Sequence, residues 1–208
     1  RLCRDWSSDV CSSDLRRNIR NEWGVGSNTF IIGNVARFDP FKDHENLLHA
    51  LSKLKSDGVS FKAFLIGNGV TNQNVELMRI INELALLDFV FLMGPRKDIP
   101  AVMNALDIHV LSSSSEGFPN VVAESMACGT FNIGTRVGDV EEIIPNSEFI
   151  CPPSDSQALF ELIRESYLMW SNFPDAFESN KTANELVIKN KFSIEVMVNA
   201  FEDNWLLV

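Results

Sequence analysis

The 208-residue sequence lacks the features that mark membrane-spanning and secreted proteins. No apolar run approaches the roughly 20 residues that a membrane-spanning helix needs, and no signal-peptide pattern opens the chain. The four cysteines form no C-x-x-C pair and show no metal-ligand spacing, and the three histidines are scattered. We therefore expect a reduced, cytoplasmic chain without a transmembrane segment.

Three further features of the sequence argue against particular classes of ligand and cofactor. The net charge of −10 argues against nucleic acid as a partner. The stretch G-N-G-V-T-N at residues 67–72 lacks the third glycine of the dinucleotide fingerprint, which argues against NAD. No Asp-x-Asp pair is present, although metal-using transferases commonly hold a diphosphate through one. We expect no metal and no cofactor.

Composition divides the chain into two unequal parts. Residues 1–15 repeat an S-S-D unit, have neither a helical nor a strand period, and do not look native, so we expect a disordered or loosely packed leader. Residues 16–208 have the composition of one soluble α/β domain. The first residue is Arg rather than Met, which favours an interior piece of a larger protein.

Strand-like and helix-like segments alternate from residue 16 onward. The strand-like segments are continuous apolar runs, which is typical of strands buried on both faces of a parallel sheet. The predicted fold is therefore α/β, a Rossmann-like parallel sheet of about six strands with helices on both faces. We predict strands over residues 29–36, 61–66, 89–93, 107–111, 130–134 and 148–151. We predict helices over residues 16–23, 74–86, 99–106, 155–170, 174–190 and 193–206, and two more that begin at an Asp43 N-cap and at Pro119.

The unusual loops all follow the carboxyl ends of predicted strands. Ligands of open parallel sheets bind at that edge. We therefore expect one binding rim, built from residues 37–42, 67–69, 94–97, 112–120 and 135–138.

The stretch S-S-S-S-E-G-F-P-N-V-V-A-E-S-M-A-C-G-T at residues 112–130 contains the central helix of this rim. Pro119 suits the first helical position and Gly129 suits the stop after the helix. Asn120 and Glu124 are four residues apart and so share one face. An ordinary surface helix with a solvated Glu124 is the simpler alternative.

The start of this helix offers an anion site. The amides of Asn120, Val121 and Val122 lack partners one turn earlier in the helix, and the helix dipole adds partial positive charge there. Such an end binds phosphate, and a carboxylate one turn further on accepts hydrogen bonds from sugar hydroxyls. Arg37 and Lys42 add two cations in another rim loop, which could also be ordinary surface cations.

Four stretches carry a resemblance to a known family. They are A-R-F-D-P-F-K-D-H-E-N-L-L-H-A-L, F-L-I-G-N-G, L-M-G-P-R-K-D-I-P and, most specifically, E-G-F-P-N-V-V-A-E-S-M-A-C-G-T. From about residue 16 onward the chain resembles the C-terminal, donor-binding domain of a glycosyltransferase family 4 enzyme of GT-B fold. Glu116 and Glu124 in the last stretch match the two glutamates of the family's motif. Ala36 departs from the family pattern, which has Gly there.

The resemblance implies a retaining, metal-independent glycosyltransferase of hexosyltransferase type that uses a nucleoside-diphosphate sugar as donor. Arg37 and Lys42 would hold the distal phosphate, Glu116 the transferred sugar, and Glu124 the ribose. The implied catalytic residues are Arg37, Lys42 and Glu116, and the implied donor-binding residues are Gly67, Pro95, Arg96, Gly117, Phe118, Asn120, Val121, Val122 and Glu124.

The resemblance also implies what this sequence does not contain. An N-terminal acceptor domain would be missing, so we expect the fragment alone to be inactive. The acceptor is unknown, because the missing domain would select it. Surface polysaccharide biosynthesis and peripheral contact with the inner face of the membrane are family-level expectations. The alternatives are a non-catalytic nucleotide-binding domain and another GT-B enzyme, such as a sugar-nucleotide epimerase or a phosphorylase.

Overall fold

A computed structural model of the chain describes residues 13–193 and residue 196. Within these residues, helices and strands alternate as predicted. The strands are β1 Phe30–Val35, β2 Phe61–Ile66, β3 Val90–Leu92, β4 Ile108–Leu111, β5 Phe131–Thr135 and β6 Ile150–Cys151. The helices are α1 Ser13–Glu22, α2 His44–Ser56, α3 Val75–Glu83, α4 Ile99–Ala105, α5 Asn120–Ala127, α6 Val140–Ile143, α7 Ser156–Asn172 and α8 Pro174–Lys191.

The six strands form one parallel sheet in the order β3-β2-β1-β4-β5-β6. This confirms the predicted Rossmann-like α/β fold with helices on both faces. The strand order reverses between β1 and β4, so the loops that follow these two strands leave the sheet in opposite directions. A crevice at the carboxyl ends of the strands is the usual ligand position in such sheets.

The core lies on both sides of the sheet because successive strand residues point to opposite faces. Phe30 and Ile32 of β1 pack in the larger cluster, with side chains of α2, α3 and α7. Ile31, between them, packs in a separate cluster with Met103 and Leu106, at the end of α4. This two-sided burial explains why the strands read as continuous apolar runs.

Helix α2 shows how local sequence sets an element. Asp43 has a positive φ of 48° and caps the helix, since its side chain accepts a hydrogen bond from the amide of Asn46 at 3.1 Å. The apolar residues recur at helical spacing and face the sheet. The fully buried leucines of this stripe are Leu47, Leu48, Leu51 and Leu54. Full burial of each such side chain contributes about 1.5–3 kcal/mol.

Helix α1 is tied to the amino-terminal end of β4 by a buried ion cluster. The carboxylate of Asp107 accepts hydrogen bonds from Arg16 Nη2 at 2.5 Å, from Arg20 Nη1 at 3.3 Å and from the Ile31 amide at 2.7 Å. Burial lowers the pKa of Arg20, although the carboxylate of Asp107 opposes this change. The cluster fixes α1 against the sheet edge opposite to the predicted binding rim.

Four details differ from the predictions or cannot be compared with them. Helix α1 begins at Ser13, inside the predicted leader, and the rest of that leader lies outside the described residues. The short helix α6 was not predicted. Pro119 is the N-cap of α5 rather than its first helical residue. The helix predicted over 193–206 lies almost wholly outside the described residues. Among the described residues, no helix has the length and apolar character needed to cross a membrane.

Candidate active site

The rim loops are joined to one another by backbone hydrogen bonds. The loop after β1 contacts the loop after β2, which in turn contacts the loop after β3, and the loop after β5 contacts the loop after β4. The bonds run from Phe38 N to Asn68 O (2.7 Å), from Gly67 N to Gly94 O (2.9 Å) and from Asp139 N to Gly117 O (3.0 Å). A Cβ at Gly67 would lie 1.9 Å from the carbonyl oxygen of Ala36, so only glycine fits this close approach.

Lys42 and Glu116 meet at the point where the strand order reverses. Lys42 Nζ lies 2.5 Å from Glu116 Oε1, and the side chains are only 19% and 12% exposed. The backbone of the Lys42 loop is fixed as well, because Ser112 Oγ donates to the Lys42 carbonyl at 2.8 Å. The structure therefore places a partly buried ammonium beside a partly buried carboxylate.

Arg37 lies in the same loop, and its guanidinium pairs with Asp39 rather than with Glu116. Its Nε and Nη2 donate to Asp39 Oδ2 at 3.2 and 3.1 Å, and the side chain is 67% exposed. The pKa of Asp39 is lowered first by the hydrogen bond from the Phe41 amide and then by Arg37. A side chain this exposed can rotate towards an anion without unpacking the core.

The start of α5 offers fewer amides than predicted. The Asn120 amide donates to the Phe118 carbonyl and the Val122 amide to the Pro119 carbonyl, each at 2.9 Å. Both bonds arise because the chain turns tightly around Pro119 before the helix begins. Among the described residues, the Val121 amide alone of the three has no such turn bond.

Glu124 lies one turn along α5 and is half-buried. Burial raises the pKa of its carboxyl group. Within the described part of the chain, this carboxylate forms no hydrogen bond or ion pair. Since a half-buried carboxylate gains from hydrogen-bond donors, Glu124 is well suited to accept bonds from a ligand.

Gly117 and Phe118 are positioned by neighbouring loops. A Cβ at Gly138, which has a positive φ of 49°, would lie 1.9 Å from the carbonyl oxygen of Gly117. The ring of Phe118 packs on Phe192 with centroids 5.7 Å apart. The backbone between Glu116 and Pro119 is thus held by contacts on two sides.

Arg96 does not join the other predicted site residues through its side chain. Its guanidinium forms ion pairs with Glu22 at 2.5 Å and Asp98 at 2.6 Å, and these two partners, Asp98 first, raise the pKa of Arg96. Pro95, beside it, is exposed. The Arg96 guanidinium is therefore held by two carboxylates, whereas Pro95 is open to a ligand at the rim.

Sequence reasoning missed two residues that hold Glu116 in place. Ser113 Oγ donates to Glu116 Oε1 at 2.6 Å, and Thr135 Oγ1 donates to the Ser113 carbonyl at 2.6 Å. The run of hydroxyl residues before Glu116 was visible in the sequence, but its partner on β5 was not. Among the described residues, no group of three or more His, Cys, Asp or Glu side chains could hold a metal ion.

A sequence-profile comparison identifies the family of this chain. The profile of the family described as "Glycosyl transferases group 1" matches residues 16–195, which is most of the chain. The chain belongs to this family. The residues at the rim are therefore those of a group 1 glycosyltransferase domain.

This glycosyltransferase domain is also similar to individual proteins and solved structures. It is 26% identical over 140 residues to the N-acetyl-alpha-D-glucosaminyl L-malate synthase of Bacillus anthracis, covering 66% of this chain and 36% of that protein. The structure of Anabaena Alr3699/HepE in complex with UDP and glucose superposes with a TM-score of 0.83 at 22% identity, covering 100% of this chain and 56% of that one. The C-terminal domain of the group 1 family protein LpcC from Francisella tularensis superposes with a TM-score of 0.71 at 23% identity, covering 86% of this chain and 93% of that domain.

The region shared with the Bacillus anthracis relative is about a third of that protein, and the region shared with Alr3699/HepE is just over half. The structural likenesses are under 25% in identity and establish the fold.

Proposed function

We propose that this domain binds the nucleoside-diphosphate sugar donor of a retaining, metal-independent glycosyltransferase. The observation that carries the proposal is the contact of Lys42 Nζ with Glu116 Oε1 at 2.5 Å, where the strand order reverses. A diphosphate needs positive charge, and a transferred sugar needs hydrogen-bond acceptors for its hydroxyls. This pair supplies both kinds of group at the expected ligand position.

The anion would lie between the loops that follow β1 and β4. Lys42 and Arg37 would balance the charge that develops on the leaving diphosphate, with Arg37 rotating away from Asp39. The Val121 amide and the dipole of the eight-residue helix α5 add to this favourable potential. In this proposal, protein cations and amides do the work that a metal ion does in other transferases.

The two glutamates would bind the two sugars of the donor. Glu116 uses Oε1 for Lys42 and Ser113, which leaves Oε2 for a hydroxyl of the transferred sugar. Glu124 would accept hydrogen bonds from the ribose hydroxyls, which would supply the partners that its carboxylate lacks among the described residues. The backbone near Gly67 and Pro95 would border the base.

The remaining assignments concern the whole protein. We propose that this domain is the C-terminal half of a family 4 glycosyltransferase of hexosyltransferase type, and that a second domain binds the acceptor. The chain alone would then bind donor without transferring sugar. Cytoplasmic location, peripheral membrane contact and a role in surface polysaccharide biosynthesis belong to this same proposal.

Calorimetric titration of the purified chain with UDP, GDP and ADP tests the binding proposal. At least one diphosphate should bind, and EDTA should leave its affinity unchanged. Lys42→Met should weaken binding roughly tenfold to a hundredfold, because a charged hydrogen bond is lost. Lys53→Met is the matched control, since the Lys53 ammonium donates to the side chain of Gln157 at 2.8 Å rather than to a residue of the rim. Absence of heat with all three diphosphates, or wild-type affinity in Lys42→Met, would contradict the proposal.

The ribose assignment has its own test. An analogue of the bound diphosphate without ribose hydroxyls should bind the wild-type chain more weakly than the parent compound. In Glu124→Ala, the parent compound and the analogue should bind equally, because the partner of the hydroxyls is gone. An undiminished preference for the ribose compound in Glu124→Ala would remove Glu124 from this role.

A further inference from the structure

Two buried polar side chains, on β4 and β5, lie in register with a glycine of β1 just below the binding rim. The strand register pairs Gly33 of β1 with His109 of β4, and His109 with Asn132 of β5. His109 and Asn132 are completely buried. They lie on the opposite sheet face from Ile108 and Val110, which pack in the larger core cluster. Burying polar side chains in the middle of a parallel sheet costs free energy unless hydrogen bonds offset it. The hydrogen-bond partners of these two side chains therefore matter.

The partners of Asn132 determine which nitrogen of His109 carries the proton. Asn132 Nδ2 donates to the Thr130 carbonyl at 2.8 Å, so its Oδ1 is the atom that faces His109 Nδ1 at 3.0 Å. Since Oδ1 can only accept, Nδ1 must carry the proton and Nε2 must be an acceptor. The Val35 amide donates to this Nε2 at 3.4 Å, a long hydrogen bond.

These side-chain bonds occur where the backbone ladder between β1 and β4 stops. The ladder covers only two pairs, Ile32 with Ile108 and Gly33 with His109, whereas β1 stays paired with β2 as far as Val35. Beyond the ladder, the His109 bond to Val35 and a 2.9 Å bond from Asn34 Nδ2 to the Val110 carbonyl connect the two strands. Side chains therefore replace backbone bonds where β1 and β4 separate to open the crevice.

We propose that His109, oriented by Asn132, is a positioning residue that sets the separation of β1 and β4 and thereby places Lys42 against Glu116. Val35 is the last residue of β1, and the loop that carries both proposed phosphate-binding cations begins immediately after it. A neutral imidazole is required, because a proton on Nε2 would face the Val35 amide. Burial lowers the pKa of His109 to about 4, so the ring stays neutral near pH 7.

The test compares three variants of the chain. His109→Leu keeps an apolar side chain but removes the acceptor, and His109→Gln offers an amide oxygen in its place. Val110→Ala is the control, because Val110 is a fully buried neighbour on the other sheet face with no polar side-chain contact. The free energy of unfolding of each variant is measured by urea denaturation, and the affinity for UDP, GDP and ADP by calorimetry.

The nucleotide readout rests on the proposed function. His109→Leu should weaken binding of the diphosphate that binds the wild-type chain by roughly tenfold, because the Val35 amide loses its acceptor and the cation loop shifts. His109→Gln should recover part of this affinity. Val110→Ala should bind as the wild-type chain does, even where it unfolds at lower urea concentration. Equal affinity in His109→Leu and Val110→Ala would overturn the proposal.

NMR provides a readout that does not need a nucleotide. Chemical shifts of the ring nitrogens should show His109 protonated at Nδ1, and amide resonances of residues 35–42 should move in His109→Leu but not in Val110→Ala. A proton on Nε2, or unmoved resonances, would overturn the positioning role. If no diphosphate binds the wild-type chain, the proposed function fails, and these shifts still decide the role of His109.

Discussion

Replacing Asp107 with alanine should destabilise the chain far more than removal of a surface carboxylate. The Asp107 side chain is 2% exposed and accepts hydrogen bonds from Arg16, Arg20 and the Ile31 amide. Arg20 is itself buried, with 5% of its side chain exposed. The substitution therefore leaves a buried cation and a buried amide without their anionic partner, while Arg16 at 30% exposure can turn to solvent.

The expected loss in the free energy of unfolding is about 3–5 kcal/mol, the range for removal of one partner from a buried ion pair. The orphaned Ile31 amide adds to the loss. Carbonyl groups of Ala105, Gly26 and Thr29 continue to accept from Arg20 and keep the loss within that range. Since whole domains are stable by about 5–15 kcal/mol, this one change removes a large share of the stability.

Urea denaturation of three variants measures this loss. Asp57→Ala is the matched control, because Asp57 pairs with Arg164 at 2.7 Å but both side chains are more than 40% exposed. That control should lose less than about 1 kcal/mol. The double variant Arg20→Met, Asp107→Leu should be more stable than Asp107→Ala, because no unpaired buried charge remains.

Two results would refute the reasoning. The first is a loss in Asp107→Ala no larger than that in Asp57→Ala. The second is a double variant no more stable than Asp107→Ala. Either result would mean that the cation of Arg20 is adequately solvated or paired without Asp107.

Two further predictions concern protonation and backbone strain. Burial lowers the pKa of His44 and of His109 from 6.5 to about 4. As the pH falls, these histidines therefore take up protons in the unfolded chain before they do so in the folded chain. The free energy of unfolding should fall by on the order of 3 kcal/mol per histidine between pH 6.5 and 4. Urea midpoints across that range check this, and a flat profile would contradict it. Gly138→Ala should destabilise the chain by more than Gly24→Ala, because both glycines have positive φ but a Cβ at Gly138 would also meet the Gly117 carbonyl, whereas nothing lies within 4 Å at Gly24. Equal urea midpoints for the two variants would show that the loop accommodates the added Cβ without a loss in the free energy of unfolding.

The sequence by itself determined the elements and the edge of the sheet at which the candidate rim loops lie. Apolar runs marked the six strands, Asp43 marked the start of α2, and Gly129, with its positive φ of 67°, marked the end of α5. These features are local, because a cap, a helical stripe or a left-handed stop depends on residues within a few positions. Even so, α6 escaped detection, since a four-residue helix is too short to show a period.

The tertiary structure alone decided which of the rim residues meet. Lys42 contacts Glu116 across 74 residues of sequence because β1 and β4 are neighbours in the sheet, and no local pattern encodes that strand order. The same order brings His109 to Val35, and the pairing of Arg96 with Glu22 across 74 residues is likewise a long-range contact. Long-range partners follow from how the helices and strands pack, and periodicity in the sequence contains no information about them.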